Sequence, residues 1–247
     1  MLPSISYRAQ PLSPAFGSPT ARANFCEEDF VIVSFIAEFI NTCTNAAYIF
    51  YAARALRRLP KDASFAAKSL YYGLGLVGVC SSLFHGLLSY HAQMADDTSM
   101  IVATSIVLQR AMTYRKTPTF INWFSGLLLL AVITETTYHV MMDEQTVHEL
   151  SFVSLIIAVA AKTRSLIKLR VQQPKDKKML QKAVIFGAGK PCAIPVASSS
   201  DTSSGNSTLF SAPNSRQSSA WWVCLGAFYL NSTDGGIFSQ LLEHTPS

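Results

Sequence analysis

Charge is scarce in this chain. Only 14% of its 247 residues are Asp, Glu, Lys or Arg, where soluble domains carry roughly 25%. With 49% hydrophobic residues and a mean hydropathy of +0.26, that scarcity argues against an ordinary soluble domain and for an integral membrane protein. Cysteine is also scarce: Cys26, Cys43, Cys80, Cys192 and Cys224 form no CxxC pair and no disulfide-type spacing. This excludes a disulfide framework, and because three lie in apolar runs, the cysteines are expected to be mostly buried thiols. The first 25 residues lack an apolar core, so no signal peptide is expected and the first spanning helix serves as the membrane-insertion signal. Nor is there a basic face. The net charge of +5 comes from short clusters between apolar runs, which is loop placement and not nucleic-acid binding.

Apolar runs dominate what is present. Five predicted spans run from about Phe30 to Tyr51, Phe65 to Ser89, Asp97 to Met112, Phe120 to Val140 and Val147 to Ile167. Each is near the roughly 20 residues a bilayer requires, the third being short. The connections alternate in charge. Arg54, Arg57, Arg58, Lys61 and Lys68 follow span one, and Asp96 and Asp97 follow span two. Arg110, Arg115 and Lys116 follow span three, Asp143 and Glu144 span four, and Lys162, Arg164, Lys168 and Arg170 span five. Basic loops stay cytoplasmic, so the N-terminus is expected on the lumenal side. An acidic knot at 24–29 and the His85 end of span two would share that side.

Outside the spans the composition changes. Residues 1–23, rich in Pro, Ser and Ala, are expected to form a loose tail. Residues 24–189 form the membrane bundle with its following basic loop. Residues 190–219 are a low-complexity insertion, with ten serines in 198–219, unable to bury a core. Residues 220–247 hold an apolar stretch, Ala220 to Leu230, short for a span.

The stretch from Ser81 to Asp97 organises the chemistry. Ser81 and His85 are one helical turn apart and share a face. Asp96 comes from the top of the next helix. Ionisable groups at membrane depth are costly and mark functional sites, and a serine, a histidine and a carboxylate at one membrane face can hold a metal and work on an amide. His85 is the metal candidate, although a histidine hydrogen-bonded within a bundle fits the same position. Asp96 suits a general base or a group that orients a ligand; alternatively it, or Asp97, caps a helix. Ser81 can polarise a carbonyl or bond back to its own helix. Glu38, inside span one with Asn41, Thr42, Thr44 and Asn45, needs a partner. With Glu27, Glu28 and Asp29 upstream it offers the oxygen ligands of a hard cation such as calcium; the alternative is a solvated acidic loop. His91 does not share the face of His85. His139 and His148 are read as interfacial polar residues, and His244 lies near the end of the sequence.

Three stretches carry a resemblance: Cys26-Glu27-Glu28-Asp29-Phe30; Phe35 through Thr42 (Phe-Ile-Ala-Glu-Phe-Ile-Asn-Thr) with Thr44-Asn45; and Ser81-Ser82-Leu83-Phe84-His85 through Gln93 to Asp96-Asp97. They resemble the alkaline ceramidase family, of the fungal dihydroceramidase and phytoceramidase type. Weaker similarity continues through span five, including His148, so that 24–189 is covered, and resumes at about 220–241. The family is similar to the adiponectin-receptor group, with seven membrane helices around zinc. It hydrolyses the amide of ceramide, dihydroceramide or phytoceramide to a sphingoid base and a fatty acid, in endoplasmic reticulum or Golgi membranes.

The resemblance implies that His85 is a zinc ligand and that Ser81 and Asp96 sit beside a zinc-activated water, Asp96 accepting a proton and Ser81 steadying the oxyanion. It implies calcium ligands at Asn24, Phe25 (through its carbonyl), Glu27, Asp29 and Glu38. The family usually has an acidic residue in place of Asn24 and a tryptophan in place of Phe25, so weaker calcium binding is expected. The family also draws two zinc ligands from a His-x-x-x-His pair in helix seven, and no such pair occurs here. Trp222 to Leu241, with Asp234, Ile237 and Phe238, resembles an altered helix six. The expectation is an all-α polytopic membrane helix bundle of the seven-helix kind, with five clear spans, a broken sixth and no seventh. A catalytic zinc normally has three protein ligands, so the site is expected to be incomplete. The alternative function is a family member without turnover that binds lipid or calcium.

Overall fold

A computed structural model of the chain describes residues 10–25, 27–170, 177–178 and 181–182. Cys26, the serine-rich stretch, and Cys192, Trp222, Cys224, Asp234, Ile237, Phe238 and His244 lie outside the described residues, as do the expected broken sixth span and the 220–247 segment. The described residues form five helices: α1 (Phe39–Arg58), α2 (Phe65–Leu87), α3 (Tyr90–Thr113), α4 (Pro118–Met142) and α5 (Gln145–Arg170). No strand occurs among them, only an isolated bridge between Val33 and Ile36. The all-α bundle expected from the sequence is therefore present.

Short connections make successive helices antiparallel. α1 packs on α2, α2 on α3, and α3 on both α4 and α5. Side-chain caps define the helix starts. Ser64 accepts from the Ala67 N–H, Ser89 from that of Ala92, and Thr117 from that of Phe120, ahead of Pro118 in the first turn of α4. The Glu144 carboxylate takes the Thr146 and Val147 N–H groups at 2.9 and 2.8 Å and so closes the start of α5.

Three helices, Phe65–Leu87, Pro118–Met142 and Gln145–Leu169, are long and apolar enough to cross a membrane. α1 and α3 are more polar because they turn polar groups inward. Asn45 of α1 is buried, as are Gln93, Asp96, Ser99, Thr104, Ser105 and Thr113 of α3. α4 instead exposes Trp123, Leu127, Leu129, Leu130 and Ile133, the side chains a lipid-facing helix needs.

Two predicted boundaries are corrected. Span one was expected from Phe30, yet residues 30–38 form turns, with Phe30 at φ 56°, and α1 starts at Phe39 and runs on through Arg54, Arg57 and Arg58. Hydropathy alone cannot see this, because the stretch is apolar yet folds as a loop whose Phe30 and Ala37 are buried against Phe84 and Leu88. Span three was expected from Asp97, but Leu88 makes a left-handed turn and Ser89 caps a helix beginning at Tyr90. Asp96 and Asp97 thus lie in the second turn of α3, and neither is a cap. Two further expectations change. Residues 10–23, read as a loose tail, are tied to the bundle: Leu12 N–H donates to the Phe30 carbonyl, Ala15 to Ser34, and Thr20 and Ala21 to Leu88. Cys43 is exposed and Cys80 only half-buried, not buried thiols.

The bundle core gathers Tyr48, Ala52, Leu74, Val77 and Ala103. Glycine permits the closest approach. A Cβ on Gly78 would stand 2.8 Å from Ile49 Cγ1 and 3.1 Å from the Ile49 nitrogen, so α1 and α2 meet there nearly backbone to backbone. Gly78→Val should push them apart and cost about 1–3 kcal/mol, read as a lowered thermal unfolding midpoint in detergent. An unchanged midpoint would contradict this packing.

Candidate active site

The site is assembled at the end of the bundle where α1 and α3 begin and α2 finishes. α2 leaves carbonyls without helical partners at its C-terminus. The loop before α1 supplies them: Ala37 N–H donates to the Gly86 carbonyl and Glu38 N–H to that of His85, each at 2.9 Å. This pairing brings the Glu38 side chain, fully buried, against the imidazole. Glu38 Oε2 contacts His85 Nδ1 and accepts from Asn41 Nδ2 at 3.1 Å; Oε1 accepts the Phe25 N–H at 3.0 Å. The Phe25 ring packs 4.9 Å from the imidazole. With Nδ1 held by a carboxylate, Nε2 is the nitrogen left for a metal, a common arrangement of a histidine ligand.

One turn back on α2, Ser81 is also buried. Its oxygen accepts from Asn45 Nδ2 at 2.9 Å, and its side chain lies within interaction range of the Asp96 carboxylate on α3. Asp96 Oδ1 is buried with no hydrogen-bond partner. Ser81, His85 and Asp96 therefore share one buried face between α2 and α3. Asn45 completes the chain of bonds. It was legible as part of the polar set on α1, but nothing in its spacing pointed to Ser81.

The acidic knot lies next to Glu38. Glu27 spends its two oxygens on the Ile40 and Asn41 N–H groups at 2.7 and 2.9 Å, closing the start of α1. Asn24 Nδ2 donates to Asp29 Oδ2 at 3.0 Å, which leaves its amide oxygen free of that bond. Burial raises the Asp29 carboxyl above its ordinary value; the Asn24 bond works against this, and the charges of Glu38 and Glu27 add to it. Asp29 Oδ1 is buried without a partner. Asn24, Phe25, Glu27, Asp29 and Glu38 are thus brought together. Among the described residues, no group of three or more His, Cys, Asp or Glu side chains is arranged to hold a metal ion by itself.

His139 and His148 flank the turn between α4 and α5, and both side chains are buried among the helices. His139 Nε2 lies 3.1 Å from Asp97 Oδ2 and its Nδ1 lies 3.0 Å from the Glu144 carbonyl. His148 Nδ1 meets Glu135 Oε1 at 2.9 Å. The spacing of Glu135 and His139, four apart on α4, was the signal that could have found them.

A family model described as Ceramidase matches residues 17–192, well over half of the sequence and all of the site just described. The chain belongs to the Ceramidase family. It is 31% identical to alkaline ceramidase YPC1 of Saccharomyces cerevisiae, over 74% of this chain and 62% of the relative. It is 29% identical to alkaline ceramidase 3 of Mus musculus, over 60% of this chain and 56% of the relative. With an alkaline ceramidase of Drosophila melanogaster the identity is 28%, over 46% and 42%. The chain thus spans less than two thirds of the length of these ceramidases. The match contains the 24–189 stretch that carried the sequence resemblance.

Glu38 is the residue on which this Ceramidase-family site converges. Glu38→Ala leaves His85 Nδ1, the Phe25 N–H and the Asn41 amide without their acceptor, a loss expected to cost about 3–5 kcal/mol of stability. Glu38→Gln, which keeps one acceptor oxygen, should recover part of it. Thermal unfolding in detergent checks both; a Glu38→Ala chain as stable as the parent would refute the network.

Proposed function

We propose that this chain is a zinc-dependent membrane amidohydrolase that cleaves the amide of ceramide-type lipids to a sphingoid base and a fatty acid. The observation that carries the reading is the buried Glu38–His85 pair beside Ser81 and Asp96 within a Ceramidase-family bundle. The names of the relatives supply the substrate class, with dihydroceramide and phytoceramide as the variants to compare.

His85 would supply one zinc ligand, since a carboxylate fixes one ring nitrogen and leaves the other; the two further protein ligands of a catalytic zinc are not found among the described residues. Zinc held there would polarise the amide carbonyl and acidify a water. The residues do the rest. Asp96 has a buried oxygen with no hydrogen-bond partner, suited to take the proton of the attacking water and return it to the leaving amine. Ser81, steadied by Asn45, orients that carboxylate and is the hydroxyl on this face able to donate to the developing oxyanion. The apolar wall of Phe25 and Phe84 around the imidazole excludes bulk water.

Calcium is the proposed partner of the acidic knot. The support is Asp29, whose charge is opposed by those of Glu38 and Glu27 and which has a buried oxygen without a partner; carboxylate oxygens in that setting suit a hard cation. The Asn24 amide and the Phe25 carbonyl are the further donors proposed. The proposed setting is an endoplasmic reticulum or Golgi membrane, N-terminus lumenal. Its support is the charge division of the bundle: Arg57, Arg58 and Arg110 end α1 and α3 at the end opposite the site.

Hydrolysis of the three ceramides by membranes carrying the chain tests the reading. The expected result is release of sphingoid base that a zinc chelator removes, with Asp96→Asn slower by at least about 100-fold and His85→Ala inactive. Release insensitive to chelator would remove zinc from the reading. Undiminished release by both variants would remove the site, and no release from any ceramide would remove the activity.

A further inference from the structure

The buried histidines at the turn between α4 and α5 take no part in the chemistry above, yet they grip the residue next to the proposed base. His139 (α4) and His148 (α5) are 2% and 5% exposed, and their rings stack 4.6 Å apart. Both reach Asp97 of α3: His139 Nε2 at 3.1 Å from Oδ2, His148 Nε2 at 3.8 Å from Oδ1. Glu135 stands behind His148 at 2.9 Å.

The hydrogen-bond inventory constrains the proton. His139 Nδ1 faces the Glu144 carbonyl at 3.0 Å. A carbonyl only accepts, so Nδ1 carries hydrogen. Nε2 faces a carboxylate, which also accepts unless protonated. A hydrogen must lie between them, either on Nε2, making an imidazolium beside a carboxylate, or on Asp97, making a neutral pair. In both cases His139 and Asp97 together carry no net charge. Asp96 precedes Asp97 on α3, and the two carboxylates interact repulsively. Without the His139 imidazole, Asp97 would face only His148 Nε2 at 3.8 Å, beyond hydrogen-bond reach, and would stand as a mostly buried charge immediately beside the base.

We propose that His139 is a positioning residue: it neutralises and anchors Asp97, so that Asp96 stands free of a neighbouring charge and can act as the base. The His148–Glu135 pair backs the stack and fixes the ring. The role joins α3, α4 and α5 in one unit, and it rests on the amidohydrolase reading given above.

The test is ceramide turnover by the detergent-purified full chain, resolved into kcat and KM. Wild type and Asp96→Asn come first: an active parent and an inactive variant establish the reaction independently of His139. His139→Ala should then lower kcat about tenfold or more with KM changed less than about twofold, the loss expected when a buried partner of an active-site carboxylate is removed. Adding Asp97→Asn to His139→Ala removes the uncompensated charge and should return kcat to within about threefold of wild type, a non-additive rescue. A merely structural histidine would give a double variant no better than the single one, and that result overturns the proposal, as does a loss confined to KM. If His139→Ala does not fold, His139→Gln, which keeps an N–H donor without the charge, is paired with Asp97→Asn and judged by the same rescue. A parent chain that hydrolyses no ceramide overturns the amidohydrolase reading and this role with it.

Discussion

The contact between the Glu38 carboxylate and the His85 imidazole is the constraint from which the site follows. A glutamate with no exposed surface is tolerable only when its oxygens are hydrogen-bonded or paired. Here three segments contribute: the strap before α1 through the Phe25 N–H, the first turn of α1 through Asn41, and the end of α2 through His85. The same contact holds the loop on the bundle, orients the imidazole and links the acidic knot to the face that bears Ser81 and Asp96. Weakening it disturbs stability and chemistry together, because one carboxylate serves both.

A second constraint is the hydrocarbon setting. Inside a bilayer, backbone polar groups need internal partners, and ionisable side chains turn toward one another. α3 shows how this is met. It presents Gln93, Asp96, Ser99, Thr104 and Ser105 to its neighbours and leaves the lipid-facing surface to α4. The strap of residues 20–23 takes up acceptors left at the α2–α3 turn, with Arg22 and Ala23 N–H groups on the Gln93 side-chain oxygen. Hydrogen bonds and the apolar contacts of Phe30, Ala37, Phe84 and Leu88 together close this end of the bundle.

Particular residues show where reading the chain succeeds and fails. The number and kind of helices between 39 and 170 were legible, because long apolar runs punctuated by basic and acidic clusters admit little else. Ser81, His85 and Asp96 were legible as a group, since one-turn spacing and a short connection bring them to one face. The start of α1 was not legible, because the loop from Phe30 to Ala37 is as apolar as a span. The start of α3 was hidden for the opposite reason: Gln93, Asp96 and Asp97 look like a loop until the strap and the other helices supply their partners. The partners of His139 and His148 were not legible, since nothing local shows that Asp97 awaits His139 42 residues away in sequence.

By itself, then, the sequence determined the fold class, the family resemblance and the residues on which chemistry centres. Those depend on composition, periodicity and short-range spacing, which the covalent chain already contains. Only the tertiary structure decided who answers whom: Glu38 with His85, Asn45 with Ser81, His139 with Asp97. A buried polar group is satisfied by whatever donor or acceptor the packing delivers, and that pairing is a property of three-dimensional proximity that no local pattern encodes.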